Sequence, residues 1–447
     1  MINSVTLKNF KSYRSARLQL SELTVLIGAN ASGKSNLIEA LRFLAKIAQG
    51  ERLGFINSPN NPRPKQPFRG QVEDLFYQRS QPFSLKCELE SATCPDSWGI
   101  FEIQVSLTPD GELYIEQESI RDLGSNVPLY EIISPPQGAG SDVYVAYNNF
   151  ARGGKKPKIV CSSQMAIFTQ LLSEIRFREE NKESRQRIPK IAQKYVNTLN
   201  NIIFLQPEPS LMRNYSHKTD KVLTENGENL SGVIYNIFSK PYDLILANNL
   251  SPANFKDLIL EFICSLPEQN IKDIQFIETP RGEVMLQLIE TFGGQETAYD
   301  VTMLSDGTLR VLAIVAVLCS APQKSLVVIE EIDNGIHPSR VNSLLEKIVF
   351  LAGQRNLKVL ISTHNPALLD AIPDFAIPNT VFCYRSPTDG SSQLVTLQNI
   401  PDYPELIAQG TVGHLMTTGI LERFVKEYPG AEEKRKKALD WFASLNS

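Results

Sequence analysis

Gly28-Ala29-Asn30-Ala31-Ser32-Gly33-Lys34-Ser35 fits G-x-x-x-x-G-K-[ST] at every position, and Asn36 follows it. The chemistry behind the pattern is simple. A loop that curls so that successive backbone N–H groups converge makes a nest for phosphate oxygens, and glycine permits the tight turns. Lys34 would reach the β- and γ-phosphates as a point charge, and the Ser35 hydroxyl would ligate Mg2+. At about 7% glycine the bare pattern arises by chance in roughly one or two chains of this size per hundred, so its setting decides. Leu23-Thr24-Val25-Leu26-Ile27 ahead of it is a continuous apolar run, the texture of a strand buried on both faces. Behind it Leu37, Ile38, Leu41, Leu44 and Ala45 recur at helical spacing and predict a helix over 34–48. The positive end of that helix would face the anion. Strand, loop and helix in this order predict an α/β fold of P-loop type.

A second half of the site lies far along the chain. Ser325-Leu326-Val327-Val328-Ile329 is an apolar strand ending in Glu330-Glu331. One carboxylate there can hold a Mg2+ shell, and the other can orient or deprotonate an attacking water. Val359-Leu360-Ile361-Ser362-Thr363 is a further apolar strand ending in His364, whose neutral ring both donates and accepts hydrogen bonds near a γ-phosphate or water. Between the halves, Ser305 in Met303-Leu304-Ser305-Asp306-Gly307-Thr308 opens a helix. Such a start can face an anion, but sequence alone favours a plain N-cap, with Ser305 capping the helix that runs to Cys319.

The rest of the chain bounds the reading. Its 447 residues suit two or three domains. With 42% hydrophobic and 21% charged residues it is ordinary globular material, neither disordered nor collagenous. A net charge of −4 argues against a protein that coats nucleic acid uniformly. No apolar run approaches a membrane span, the longest being Leu312–Cys319. No secretory signal opens the chain, and six cysteines without paired spacing read as reduced core thiols of a cytoplasmic protein.

Residues 50–70, with Pro59, Pro62, Pro64 and Pro67, read as a loop. Alternating runs at 83–89, 99–107, 112–118 and 142–147 predict an antiparallel sheet. Residues 164–199 read as helical, with Ile167, Leu171, Leu172 and Ile175 on one face, with further helices at 229–239 and 254–266, then a helix at 339–351 and a charged terminal helix at 431–447. The expected division is 1–160 as the N-terminal lobe, 161–270 as a helical insertion and 271–447 as the C-terminal lobe. Arg152, Lys155, Lys156, Lys158 and the Arg176–Lys190 stretch are the candidates for contact with DNA, but the first set lies on a Gly-rich loop with no interleaved aromatic and the second is balanced by Glu174, Glu179, Glu180 and Glu183, so both read as solvated faces. Lys434-Arg435-Lys436-Lys437 reads as an exposed helix face.

In this order the motifs resemble the ATP-binding-cassette-type ATPases of the SMC/RecF/OLD group, and within it the stand-alone bacterial AAA family ATPases. Leu7-Lys8-Asn9-Phe10-Lys11-Ser12-Tyr13 looks like their opening strand, Leu304-Ser305-Asp306-Gly307-Thr308 their signature, and Ile329–Pro338 their Walker B and D-loop. Ser362-Thr363-His364-Asn365-Pro366 looks like their switch histidine. Phe204–Arg213 and Asn226–Leu230 also look like this subgroup.

The resemblance implies an ABC-type head with a mixed central sheet, an antiparallel β subdomain and an inserted helical lobe. It implies ATP and Mg2+ as cofactors and a homodimer closed on ATP, in which Ser305 and Gly307 of one head meet the phosphate held by Lys34 of the other. Glu331 would be the catalytic base, His364 the switch, and Ser35 with Glu330 the metal holders. Three departures stand out. Glu330 replaces the group's usual aspartate, LSDGT replaces LSGGQ, and Gln71 and Gln78 compete for the Q-loop position. The stretch between Ser35 and Ser305 is too short for coiled-coil arms, and the tail after His364 shows no Toprim DxD pattern. The resulting expectation is an ATPase that switches a separately encoded effector, a nuclease or toxin in anti-phage defence. The alternative is a RecF-like ATPase that binds DNA in repair. A transporter subunit fits worst, because such subunits are shorter and carry LSGGQ.

Overall fold

Apolar residues alternate along β1 (Ile2–Phe10) and β2 (Tyr13–Gln19), so each strand turns one face into the core. The two form a hairpin with Phe10 opposite Tyr13. β3 (Leu23–Ile27) is buried at all five positions because it has a layer on both faces. The computed structural model describes residues 1–56, 68–79, 82–90, 98–124, 127–134, 142–151, 153, 155–239, 252–263, 271–332 and 338–427. The prolines at 59–67, Cys94, Arg152, Cys264, the D-loop Asp333–His337 and the terminal helix at 431–447 with its Lys434–Lys437 face lie outside these residues.

After helix α1 (Lys34–Ala48) come β4 (Phe83–Leu89), β5 (Ile100–Leu107), β6 (Leu113–Arg121), β7 (Pro128–Ser134), β8 (Asp142–Tyr147) and β9 (Lys158–Ser162). They join the hairpin in an eight-stranded antiparallel sheet ordered β2-β1-β4-β5-β6-β7-β8-β9. The N-terminal hairpin thus belongs to the antiparallel sheet, and only β3 belongs to the sheet that carries the phosphate loop.

The middle of the chain holds α2 (Lys182–Asn200), β10 (Ile202–Leu205), β11 (Ser216–His217), α3 (Leu230–Ser239) and α4 (Pro252–Ile263). Next, β12 (Ile271–Glu278), β13 (Glu283–Phe292) and β14 (Gln295–Asp300) form a small antiparallel sheet with β11. Helix α5 (Asp306–Ser320), β15 (Leu326–Ile329), α6 (Pro338–Arg355), β16 (Lys358–Ser362), β17 (Val381–Arg385) and β18 (Ser392–Thr396) complete the head. The six-stranded sheet runs β10-β15-β16-β3-β17-β18 and is parallel up to the antiparallel edge strand β18.

Side-chain alternation assigns the two faces of that sheet. Leu26, Val328 and Leu360 point into one core with α1, α2 and the antiparallel sheet. Val25, Ile27, Val327, Ile329, Val359 and Ile361 point into another with α5, α6 and the small sheet. Helix α1 is therefore sandwiched between two sheets, and Phe43 and Ile47 are buried beyond its expected apolar face. At the start of β16, the Lys358 ammonium ties the sheets together. It donates to the Ile2 and Leu20 carbonyls (2.9 and 3.0 Å) and pairs with Glu90 at 2.6 Å, the full set of partners a buried cation needs.

Two stretches differ from expectation. Residues 164–199 are not one helix: a short helix at Ile167–Gln170 is followed by a loop and then α2. Leu171 is buried but Leu172 and Ile175 are exposed, so the helical spacing there marks no buried face. The segment 161–270 also contributes β10, an edge strand of the central sheet, beside its helices.

The short helix is held by Glu118 of β6, a carboxylate with no access to solvent worth counting. It accepts from Tyr130 Oη (2.6 Å) and from the amides of Ile167 (2.8 Å) and Phe168 (2.9 Å). Burial outweighs these hydrogen bonds and pushes its pKa up from 4.5 to about 7. The unfolded chain gives up this proton near 4.5, so the stability it contributes is complete below that pH and lost as pH rises through about 7. The loss is roughly 3 kcal/mol. Glu118→Gln, which cannot ionise, should therefore gain melting temperature relative to wild type on going from pH 5 to pH 8. An equal difference at both pH values would show that the carboxyl does not titrate in this window.

Candidate active site

The phosphate loop is held between the two large sheets. Gly28 has φ of 146° and Gly33 of 124°, conformations side chains resist. Space forbids them too. A Cβ on Gly28 would lie 2.2 Å from the Cys383 carbonyl oxygen, and one on Gly33 would lie 2.4 Å from Ser392 Oγ. Ala31 takes a left-handed φ of 62° without glycine's freedom.

The loop's rear is tied by side chains from both sheets. Tyr13 Oη donates to the Gly33 carbonyl (3.1 Å), and Ser392 Oγ donates to the Ser32 carbonyl (2.6 Å). The Cys383 thiol donates to the same Ser32 carbonyl (3.4 Å). Burial pushes that thiol's pKa up, so it stays protonated as a donor. Asn36 Nδ2 donates to Ser12 Oγ (2.7 Å), whose hydroxyl lies within hydrogen-bonding distance of Ser392 Oγ (2.8 Å). The Ser392 amide reaches the Ser12 carbonyl at 2.7 Å, joining β18 to the β1–β2 turn.

In front of the loop lies a cleft of about 340 Å3. Asn30, Ala31, Gly33, Lys34, Ser35 and Asn36 form one wall. Glu330 and Glu331 from the end of β15, with Ser362, Thr363 and His364 from the end of β16, form the other. Gly28, Ala29 and Ser32 are not on this cleft; Ala29 and Ser32 face a smaller cavity against β17. Glu331 is exposed and has a left-handed φ of 49°, a strained turn straight after the strand. Its amide donates to Ser362 Oγ (3.2 Å), which fastens the turn to β16. Glu330 instead points back to α1, where Arg42 Nη2 meets it at 2.6 Å.

The cleft also contains cations that the sequence pattern did not mark. Arg69 and Arg385 line it with Lys34. Arg69 follows a loop without periodicity, and Arg385 ends a strand that the sequence reading left unplaced. Lys11, in a buried ion pair with Glu39 of α1, donates to the Arg69 carbonyl at 2.9 Å and so fixes the backbone there. Gln71 instead caps a short turn with Asp74, and neither Gln71 nor Gln78 lines the cleft. Ser305 and Gly307 are also absent from it. Ser305 Oγ caps α5 by accepting from the Thr308 amide at 3.1 Å, and Asp306 pairs with Arg213 at 2.7 Å.

This donor set suits a magnesium nucleoside triphosphate. Tight glycines leave room for phosphate against backbone amides at the start of α1. A lysine, a serine hydroxyl and two carboxylates complete the usual complement. Gly28→Ala should lower affinity for a fluorescent ATP analogue by at least about tenfold, because the rigid Cys383 carbonyl cannot yield. Wild-type affinity in that variant would mean that the loop is not seated against β17.

Comparison with known proteins places these features in context. Residues 1–203 match a family model described as "AAA ATPase domain". Residues 170–370 match one described as "AAA domain, putative AbiEii toxin, Type IV TA system". A protein of Helicobacter pylori (strain ATCC 700392 / 26695) named "ATP/GTP phosphatase" is 22% identical over 396 residues, covering 86% of this chain and 92% of that protein. Among solved structures, an SMC head bound to the C-winged helix domain of ScpA aligns with 88% of this chain and 96% of its own, at 16% identity and a TM-score of 0.47. A Pyrococcus furiosus Smc head with an extended coiled coil, bound to the C-terminal domain of ScpA, aligns with 95% and 99% at 14% identity and a TM-score of 0.46.

Proposed function

We propose that this chain, which matches AAA ATPase domain models over residues 1–203 and 170–370, is an ATP-gated dimeric switch acting on a separate effector protein. The observation that carries this reading is a separation. Phosphate loop, paired carboxylates and histidine share one cleft, while Ser305 and Gly307 stand outside it. A second copy facing the first would bring its α5 N-terminus to the open side, so that two heads share two nucleotides. Asp306 adds no obstacle, since Arg213 already neutralises it.

Within one head the residues divide the work. The amides at the start of α1 receive the phosphates, and Lys34 draws the β–γ end inward. Ser35 and Glu330 would hold Mg2+, which when bound neutralises charge developing on the phosphate oxygens. Glu331 takes the proton from the attacking water, and its exposed, strained position leaves it facing the cleft. His364 offers a hydrogen bond at the γ-phosphate end. The Helicobacter pylori relative's name covers GTP as well; we assign ATP and would test both.

The effector would be a nuclease or toxin, with a role in anti-phage defence, and the buried thiols of Cys161, Cys319 and Cys383 suit a cytoplasmic setting. The DNA-binding alternative is less favoured. Lys156 is engaged by Asn148 and Asn149, Arg187 pairs with Glu183, and Arg176 donates to the Val160 carbonyl. No helix among the described residues is long and apolar enough to cross a membrane.

Lys34→Ala should abolish ATP binding. Glu331→Gln should bind ATP, fail to turn it over and elute as a dimer in size-exclusion chromatography. A Glu331→Gln protein that stays monomeric with ATP bound would sink the sandwich. Duplex DNA binding that depends on ATP and weakens steeply with salt would move the assignment to the repair reading.

A further inference from the structure

The segment between phosphate loop and signature sends a contact into the site through Arg42 of α1. Its guanidinium forks between two carboxylates, Nη2 to Glu330 at 2.6 Å and Nη1 to Glu225 at 2.5 Å. The Phe204 ring lies flat beneath it, 4.3 Å from centroid to guanidinium carbon. Arg42 and Glu330 are nearly enclosed, with side chains 13% and 12% exposed, whereas Glu225 is 46% exposed. Burial opposes the Arg42 charge, and the carboxylates of Glu225 and Glu330 overcome it and hold its pKa up. Phe204 lies one residue before the end of β10, and just past that end the Gln206 amide donates to the Glu225 carbonyl at 2.8 Å, so the end of β10 holds the ring and the acid together.

We infer that Arg42 is a positioning residue for Glu330, and that Glu225 and Phe204 hold Arg42 in place. The inference rests on the reading of Glu330 as a metal holder. Glutamate is one methylene longer than aspartate, so its carboxylate has an extra torsion and more places to go. A guanidinium that binds Oε1 removes that freedom and leaves Oε2 for the metal side. The planar fork suits two carboxylates at once, which a lysine cannot reproduce. Without Arg42, Glu225 and Glu330 would face each other with no cation between them, and repulsion would drive Glu330 out of position. The same geometry gives segment 206–229 a lever on hydrolysis through Glu225.

The test uses the full chain with ATP, with MgCl2 or with EDTA. Arg42→Met should lower kcat by about tenfold or more with the KM for ATP within about twofold, and Arg42→Lys should recover only part. In the Glu330→Gln background Arg42→Met should add no further loss, because the two residues act as a unit. A readout independent of turnover is thermal stabilisation by ATP. The increment that Mg2+ adds should fall by about half or more in Arg42→Met, as in Glu330→Gln, while stabilisation by ATP in EDTA stays unchanged.

Should Arg42→Met fail to fold, Glu225→Gln at the exposed end carries the test, with a loss of about threefold in kcat and the same unchanged KM. If Glu330→Gln loses the Mg2+ increment and the Arg42 and Glu225 variants keep both the increment and kcat, the inference is wrong and the metal reading stands. If Glu330→Gln keeps the increment, the metal reading falls and the inference falls with it.

Discussion

The phosphate loop must present inward-facing amides with no side chain in the way, and it must be rigid when it does so. Two glycines meet the first demand only because something solid lies behind them: the Cys383 carbonyl behind Gly28 and Ser392 behind Gly33. Rigidity comes from hydrogen bonds to the loop carbonyls, each worth about 1 kcal/mol net, that do not draw on its amides. Those bonds come from Tyr13 in the antiparallel sheet and from Cys383 and Ser392 at the far edge of the central one. The loop therefore depends on residues far apart in the chain, and the two sheets must meet where they do for the site to exist.

That dependence explains the layering. Helix α1 carries the loop at one end and fills the space between the sheets, which is why it is buried well beyond an amphipathic stripe. Its two buried polar contacts face different tasks. Lys11 and Glu39 pair to fix the stretch that carries Arg69, and Arg42 faces the carboxylates. A buried charge without a partner would cost several kcal/mol, so each is tied to a neighbour that itself serves the cleft.

Much of this could be read from the chain. The 34–48 helix, the buried strands at 23–27 and 358–362 and the paired acids at 330–331 follow from periodicity and motif spacing, because those signals are local. What the reading missed is not local. β12–β14 are antiparallel strands, β17 runs parallel to β3 and β18 antiparallel to β17, and their identity depends on partners elsewhere. The rear of the loop is built by Tyr13, Cys383 and Ser392, residues with no pattern of their own. Ile175 shows the opposite failure: it sits at helical spacing but is 87% exposed, so the periodicity there meant nothing. Gln71 and Gln78 looked suitable for the cleft by order in the chain, yet a capped turn takes Gln71 away and Arg69 arrives instead.

The long stretch between the phosphate loop and Ser305 is more than an appendage on a split head. β10 extends the central sheet beside β15, in register from Ile202 opposite Leu326 to Leu205 opposite Ile329. The Glu330 amide donates to the Leu205 carbonyl at 3.1 Å, so the strand that carries the acids is set partly by the middle segment. Where β10 stops, Phe204 and Glu225 close on Arg42. The middle segment therefore reaches Glu330 through two contacts, the Leu205 backbone and the ionic path from Glu225 through Arg42. Because α5 is capped by Ser305 and its Asp306 is held by Arg213 of the same middle segment, that segment is tied both to the acids at the end of β15 and to the start of α5.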